Sequence, residues 1–284
     1  MVDSVIVGSG PAALTAALYL ARAGYQPQVF ERGEIGGAIT QTDHIANYPG
    51  FEGAGKDLAA KLRAQAEQAG AEITYGECRQ IRRLEDGSYE LRVDDETLTA
   101  RTVLVATGSE PRQLGFELEV PVSYCALCDA DLAKDKRVAV VGGANGAVKE
   151  GIYLAKLVRE LTIVSHSKLK ADQVLIDELE KLENVKVLED TEPTAELLNS
   201  FGYVFVFIGK QPATGCLKGL ASDHELFDEQ GFVKTGGAGR TAHETAATGV
   251  FAAGDVRSGA VRQIITAAGD GAAAATEMVT YLKK

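Results

Sequence analysis

Cysteine is scarce. Four in 284 residues are too few to staple a small secreted domain, and a chain of this length buries a sizeable core without staples. Positive charge is short as well: 29 basic against 40 acidic residues leave a net charge of −11, which argues against a general nucleic-acid binder or a ligand of anionic membranes. Long apolar runs are missing too. The longest uncharged stretch, Ser4–Ala21, contains Gly8-Ser9-Gly10-Pro11, which would break a membrane span, and Asp3 ahead of it has the wrong sign for a signal peptide. With 45% apolar and 24% charged residues the composition is globular and leaves little room for disorder. At roughly 150 residues per domain the length suits about two domains. The expectation is a soluble, cytoplasmic protein whose cysteines need a chemical explanation.

What is present begins at the N-terminus. Val5-Ile6-Val7 reads as a short buried strand that runs into Gly8-Ser9-Gly10-Pro11-Ala12-Ala13. An Ala/Leu-rich helix, Ala13–Ala23, follows, then a turn at Gly24 and a second strand, Gln28-Val29-Phe30, ending at Glu31. This is a βαβ unit with a dinucleotide fingerprint. Gly8 permits the tight turn, Gly10 lets backbone approach a pyrophosphate, and Ala13 lets the helix sit close to the strand. The helix N-terminus offers its unpaired N–H groups to phosphates, and Glu31 stands where a carboxylate binds ribose hydroxyls.

Alternating segments at Ile73–Tyr75, Ile81–Leu84 and Tyr89–Val93, with Asp86-Gly87-Ser88 as a hairpin turn, predict an antiparallel meander. The next buried strand, Val103–Val105, ends in Ala106-Thr107-Gly108. The pattern then repeats. Ala139–Ala147 restates the first fingerprint, with Gly142 on Gly8, Ala144 on Gly10 and Ser165 on Glu31, while Val204–Gly209 restates Val103–Gly108. Glu31 to Gly108 spans 77 residues and Ser165 to Gly209 spans 44, so the second copy is 33 residues shorter, about the length of the meander. Near the end, Val250–Asp255 reads as a strand closing in Gly-Asp, and Arg262-Gln263 open a helix over Ile264–Leu282. Glycine-rich stretches at Gly108–Gly115 and Gly236–Arg240 read as crossovers. The expected fold class is α/β with two Rossmann-like domains. The first, residues 1–112 and 244–284, is discontinuous and carries the inserted meander; the second, residues 113–243, is shortened.

Cys125-Ala126-Leu127-Cys128-Asp129 precedes the second fingerprint. The spacing alone leaves three readings open: half a zinc site, which needs two further ligands; two inert thiols; or a dithiol for disulfide exchange. Cys78 and Cys216 stand apart in the sequence and read as unreactive.

The order of these motifs resembles the low-molecular-weight thioredoxin reductases. The resemblance is carried by Gly8–Ala13, Gly36-Gly37 with Asn47-Tyr48-Pro49-Gly50, Ala106-Thr107-Gly108, Cys125–Asp129, Gly142–Ala147, Gly249–Asp255 and Arg262–Gly271. It implies that the first domain binds FAD. Gly8, Gly10, Pro11, Ala12 and Glu31 would hold the ADP part. Gly37, Asn47, Ala106, Gly108, Asp255, Arg262 and Gln263 would surround the ribityl chain and the ring. It further implies that Cys128 faces the flavin, that Cys125 attacks the partner disulfide and that Asp129 donates a proton to the departing thiolate. The implied partners are a thioredoxin-like protein or a small disulfide, and the family's usual assembly is a homodimer. No metal is implied.

The sequence departs from that pattern on its pyridine-nucleotide side. Where the family has His-Arg-Arg for the 2′-phosphate of NADPH, this chain reads Ser165-His166-Ser167-Lys168. Lys168 and Lys170 lack the bidentate grip of arginine. These features resemble the pyridine-nucleotide-independent branch, which includes ferredoxin-dependent flavin thioredoxin reductases and relatives with a second flavin in the degenerate domain. The expectation is poor use of NADPH, with electrons passing from an outside donor such as ferredoxin through FAD and the dithiol. The alternatives are an NADPH-dependent enzyme with an unusual phosphate site, or a small-molecule dithiol oxidase using oxygen.

Overall fold

The computed structural model describes residues 1–42 and 44–284, with the side chains of Leu127, Cys128 and Asp223 outside the description. The chain forms two compact units: residues 1–109 with 211–284, and residues 110–210.

The first unit begins with β1 (Val2–Val7), α1 (Pro11–Arg22) and β2 (Pro27–Glu31). A 3-10 turn over Gly37–Gln41 leads to the hairpin β3 (Ile45–Tyr48) and β4 (Phe51–Gly53), then α2 (Gly55–Ala69) and β5 (Glu72–Tyr75). The strands β6 (Cys78–Arg83), β7 (Tyr89–Val93) and β8 (Glu96–Val105) complete this part, and β9 (Ser109–Pro111) leads out of it. The second unit holds β10 (Val122–Ser123), α3 (Ala126–Asp129), β11 (Arg137–Val141), α4 (Asn145–Ala155), β12 (Glu160–Val164), α5 (Gln173–Leu179), β13 (Val185–Leu188), α6 (Ala195–Leu198) and β14 (Tyr203–Val206). The chain returns through β15 (Lys210–Pro212), which pairs with β9, and ends with α7 (Asp223–Leu226), β16 (Val250–Ala252) and α8 (Ile264–Leu282).

The internal repeat has a topological counterpart. In the first unit β5, β2, β1, β8 and β16 lie in that order and are all parallel. The second unit has β13, β12, β11, β14 and β10 in the same arrangement, again all parallel. Each is a doubly wound sheet. Such strands are apolar on both faces, and the alternation is visible across the first sheet. Ile6, Val29, Leu104 and Phe251 face the alanines of α1 and α8. Val5, Val7, Val103, Val105 and Val250 face Ile81, Tyr89 and Leu91 of the meander. The two alanine-rich helices come close because Gly271 lacks a side chain: a Cβ there would stand 2.1 Å from the Ala12 carbonyl oxygen.

Three sequence expectations are corrected. The segment Ile73–Tyr75 does not belong to the meander: it pairs parallel with β2 as the third Rossmann strand, leaving β6, β7 and the first half of β8 as the antiparallel insert. The shortening of the second unit is then only partly the missing meander. β2 ends at Glu31 and β5 begins at Glu72, whereas β12 ends at Val164 and β13 begins at Val185. In that interval the first unit has the 3-10 turn, a hairpin and a 15-residue helix, and the second has one 7-residue helix.

The third correction concerns the second crossover, expected at Gly236–Arg240 and a boundary at 243. The chain returns at residue 211 instead. The reason is apolar burial. Leu217 and Val233 are fully buried in the core built on Val5, Val7 and Val103. Each such side chain contributes roughly 1.5–3 kcal/mol on leaving water, and this holds residues 211–243 to the first unit.

Candidate functional site

Parallel order brings the C-terminal ends of β1, β2, β8 and β16 to one edge of the first sheet. Gly8, Glu31, Ala106 and Gly254 follow those strands there, at the edge where doubly wound sheets bind ligands. Gly8 has φ +100°, and a Cβ on it would meet the Ala106 carbonyl oxygen at 2.5 Å. Only glycine fits. Gly10 is the N-cap of α1, Pro11 is its first residue, and no acidic side chain occupies its first turn, so the turn's N–H groups remain attractive to an anion. The Gly36-Gly37 loop lies against this turn: the Gly36 N–H donates to the Ser9 carbonyl at 3.1 Å, and a Cβ on Gly37 would stand 3.3 Å from Gly10 Cα.

Glu31 is fixed by three donors. Its Oε2 accepts from the backbone N–H of Ser9 at 2.8 Å and from Ser9 Oγ at 2.7 Å, and its Oε1 accepts from the Gly33 N–H at 2.8 Å. Each carboxylate oxygen has two lone pairs, so acceptor capacity remains for a ligand hydroxyl. A cavity of about 500 Å3 opens beside it, lined among others by Gly8, Glu31, Arg32, Thr107, Gly215 and Cys216. That volume lies within the ~300–1,000 Å3 typical of small-molecule sites. The glycine turn, the open helix N-terminus and the anchored carboxylate fit the adenosine diphosphate half of a dinucleotide.

The other expected residues lie in the same unit. Asn47 Nδ2 donates to Gln263 Oε1 at 3.0 Å, which ties the β3–β4 hairpin to the start of α8. Arg262 stacks its guanidinium 4.3 Å from the centre of the Phe232 ring. Asp255 is half-buried in a 3-10 turn after β16, and Gly254 ahead of it turns with φ +77° against Ala12.

Sequence reasoning missed the group beneath that turn. Asp270 of α8 accepts from the Gly254 N–H at 3.1 Å and pairs with Arg257 at 2.7 Å. His243 Nδ1 stands 3.0 Å from Glu277 and its Nε2 stands 3.6 Å from Asp270. Burial alone would raise the Asp270 carboxyl; the nearby His243 ring, the hydrogen bond and charge of Arg257 and the Gly254 N–H outweigh it and hold it at about 2. Burial also works against a charged His243, and its two carboxylate partners overcome this and hold its pKa above the ordinary value. Only Asp270 had a signal, as the Asp of the Arg262–Gly271 motif.

The second fingerprint folds alike and is covered. Gly142 has φ +135°, with the Phe207 carbonyl where a Cβ would lie. Ala144 takes the place of Gly10 as N-cap of α4, in the same extended conformation. The loop after β12 then crosses this helix start: the Lys170 N–H donates to the Gly143 carbonyl at 2.7 Å. The Asn145 side chain donates to Asp172 Oδ2 at 2.9 Å and accepts from the Asp172 N–H at 2.7 Å. Asp172 therefore sets a negative charge beside the helix start, where a phosphate would need the opposite. Ser165 is 2% exposed and sits behind Gly143, where a Cβ would meet its Oγ at 2.2 Å. His166, Lys168 and Lys170 are exposed.

Cys125 is half-buried and disulfide-bonded. Its backbone N–H donates to Ser123 Oγ at 3.0 Å, and that hydroxyl donates to the Cys125 carbonyl at 3.1 Å. The helix that follows, α3, is a single turn. The side chain of Cys128 lies outside the described residues. The Asp129 charge is felt by Tyr203, whose hydroxyl is pushed up by burial first and by this carboxylate second. Among the described residues no group of three or more His, Cys, Asp or Glu side chains could hold a metal ion, and no helix is long and apolar enough to cross a membrane. Cys78 and Cys216, expected to stand apart, are neighbours in the cavity lining.

Residues 2–271 match the family described as pyridine nucleotide-disulphide oxidoreductase. A thioredoxin reductase of Listeria monocytogenes is 36% identical over 311 aligned positions, covering 99% of this chain and 94% of that protein. Among solved structures, thioredoxin reductase from T. acidophilum superposes with a TM-score of 0.80 at 29% identity, covering 100% of this chain and 99% of that one. The Lactococcus lactis thioredoxin reductase in its FR conformation gives 0.79 at 30% identity, covering 100% and 99%. Likeness to thioredoxin reductases along the whole chain, and a family match that runs through both nucleotide-type folds, show that the chain belongs to the pyridine nucleotide-disulphide oxidoreductase family.

Proposed function

We propose that the chain is an FAD-dependent thiol-disulfide oxidoreductase of the thioredoxin reductase type whose electron donor is not a pyridine nucleotide. Its similarity to thioredoxin reductases along its whole length supports the flavin disulfide oxidoreductase activity. The contrast between its two fingerprints supports the choice of donor. The first has an open helix start beside a cavity of about 500 Å3. In the second, the equivalent start is bridged by Lys170 and by the Asn145–Asp172 pair. A one-electron carrier protein such as ferredoxin is the donor this reading favours.

When bound, FAD would collect two single electrons from that donor and pass them as a pair to the disulfide of Cys125 and Cys128. On the chain's side, the turn at Gly8, Gly10 and Pro11 would leave room for the phosphates at the start of α1, whose unpaired N–H groups include that of Ala12, and Glu31 would take the ribose. Gly37, Asn47, Ala106, Gly108, Asp255, Arg262 and Gln263 would complete the flavin's surroundings. In the reduced protein the Cys125 thiolate attacks the partner's disulfide, releasing one partner thiolate, which Asp129 protonates. The Cys128 thiolate then attacks the Cys125 sulfur and expels the second, which takes its proton from solvent water. The partner gains two electrons and two protons, and Cys125 and Cys128 end as a disulfide.

The test is anaerobic turnover of a thioredoxin disulfide by the flavin-loaded protein, with NADPH, NADH or reduced ferredoxin as sole donor. The reading expects turnover with ferredoxin and little with either nucleotide. Turnover by NADPH at ordinary micromolar concentrations would replace it with a nucleotide-dependent enzyme.

A further inference from the structure

We propose that Cys78 and Cys216 are a second, peroxide-sensitive dithiol, which closes to a disulfide in the wall of the nucleotide cavity. The two residues are 138 apart in sequence and reach one place through the fold. Cys78 opens β6, at the start of the meander. Cys216 lies in a 3-10 turn over Gly215–Leu217, just after the chain returns to the first unit. Both belong to the same apolar cluster, Cys78 on its rim and Cys216 6% exposed. Both also line the cavity beside Gly8 and Glu31, so the fold brings them to one place.

Their chemistry is complementary. The Cys78 Sγ donates to the Gln80 carbonyl at 3.9 Å and lies near enough to Cys216 for each thiol to affect the other's proton, and Arg32 also lines the cavity. The neighbouring Cys78 thiol first, with the Arg32 charge also contributing, holds the Cys216 thiol below its ordinary range. The Cys216 contact first, then burial and the charge on Cys216, push Cys78 up. One sulfur is thus prepared as the nucleophile, and its neighbour keeps its proton until needed. The Cys216 thiolate attacks one oxygen of hydrogen peroxide, the O–O bond breaks, and hydroxide leaves. Cys216 becomes a sulfenic acid. The hydroxide takes the Cys78 proton as water, and the Cys78 thiolate attacks the sulfenic sulfur, expelling a second hydroxide. That hydroxide recovers the proton first lost by Cys216, so two thiols and one peroxide give one disulfide and two waters. Two cysteines that line one cavity and belong to one apolar cluster need only a local approach to reach the ~2 Å bond. The product ties the start of the meander to the turn over Gly215–Leu217.

This pair is independent of the donor proposed above, and its test is too. The purified flavin-loaded protein, reduced and freed of reductant, is treated with millimolar hydrogen peroxide, alkylated, digested without reduction and mapped by mass spectrometry. The expected product is a cross-linked peptide pair joining Cys78 to Cys216, two hydrogens lighter than the separate peptides and distinct from any product at Cys125 and Cys128. In Cys78→Ser protein, Cys216 should instead accumulate as a sulfenic acid that dimedone captures. Cys78 and Cys216 both remaining alkylatable after Cys125 is fully oxidised would overturn the proposal. Separate over-oxidised sulfurs with no cross-link would do the same.

Discussion

Replacing Asp270 by Asn tests the account at a position outside the cavity. The wild-type carboxylate pairs with Arg257 at 2.7 Å, accepts from Gly254 N–H at 3.1 Å and lies 3.6 Å from His243. Its pKa falls from 3.8 to about 2 on folding, which is worth about 2.5 kcal/mol at one unit per 1.36 kcal/mol. The side chain is 23% exposed, so solvent screens only part of this. The sign follows from linkage: a carboxyl depressed in the native state adds stability that is complete above its unfolded pKa and is lost as pH falls through the folded value. That contribution is therefore present at pH 7 and drains away between about pH 4 and pH 2. Asp270→Asn should lower the unfolding free energy at pH 7 by about 2 kcal/mol, and the gap to wild type should close towards pH 2. His243 works in the opposite window: its raised pKa adds stability below about 6.5 that is lost as pH rises through the higher folded value. Urea titrations of the flavin-loaded proteins at pH 7, 4 and 2.5 read these effects. Equal stability of wild type and Asp270→Asn at pH 7 would refute the reasoning.

Gly8→Ala sets a Cβ 2.5 Å from the Ala106 carbonyl at φ +100°; overpacking of this kind costs about 1–3 kcal/mol, so the flavin-to-protein ratio after purification should drop, and an unchanged ratio would count against the placement. Cys125→Ser should keep its flavin absorbance and lose disulfide turnover, which a thioredoxin-reduction assay checks against the flavin spectrum. Converting Ser165, His166 and Ser167 to His-Arg-Arg should improve NADPH use by less than about tenfold, one 1.4 kcal/mol step. The Lys170 and Asp172 contacts over the helix start would remain. A gain of several decades would show that phosphate contacts alone were limiting.

Much of the first unit is legible in the sequence because its strands announce themselves on both faces and its turns demand glycine. Val5-Ile6-Val7, Gly8 and Glu31 sit as the fingerprint requires, and α8 spans Ile264–Leu282 as read. The repeat was legible for the same reason, since parallel order follows from βαβ connections. The return point of the second crossover was not. Glycines at 236, 237 and 239 mark turns with positive φ, but turns do not say which core a loop packs on, and that was decided by Leu217 and Val233. Ile73–Tyr75 misled because a short apolar run looks alike in parallel and antiparallel pairing. The contact between Cys78 and Cys216 joins distant segments and leaves no local pattern. The cover on the second fingerprint was half legible: Ala144 and Ser165 showed the losses, whereas the Asn145–Asp172 bridge depends on a loop whose path no periodicity encodes.

The central claim is that the second fold does not deliver hydride from NADPH. Two charged hydrogen bonds to the 2′-phosphate, at roughly 1.5–3 kcal/mol each, are absent from a pattern ending in Ser165-His166-Ser167. On this reading their loss would weaken NADPH by about two to four decades. Anaerobic rapid mixing of the flavin-loaded protein with NADPH, followed at the flavin absorbance and repeated with reduced ferredoxin, tests this directly. Fast bleaching by ferredoxin and slow or negligible bleaching by micromolar NADPH is the predicted result; bleaching by micromolar NADPH within milliseconds would contradict it.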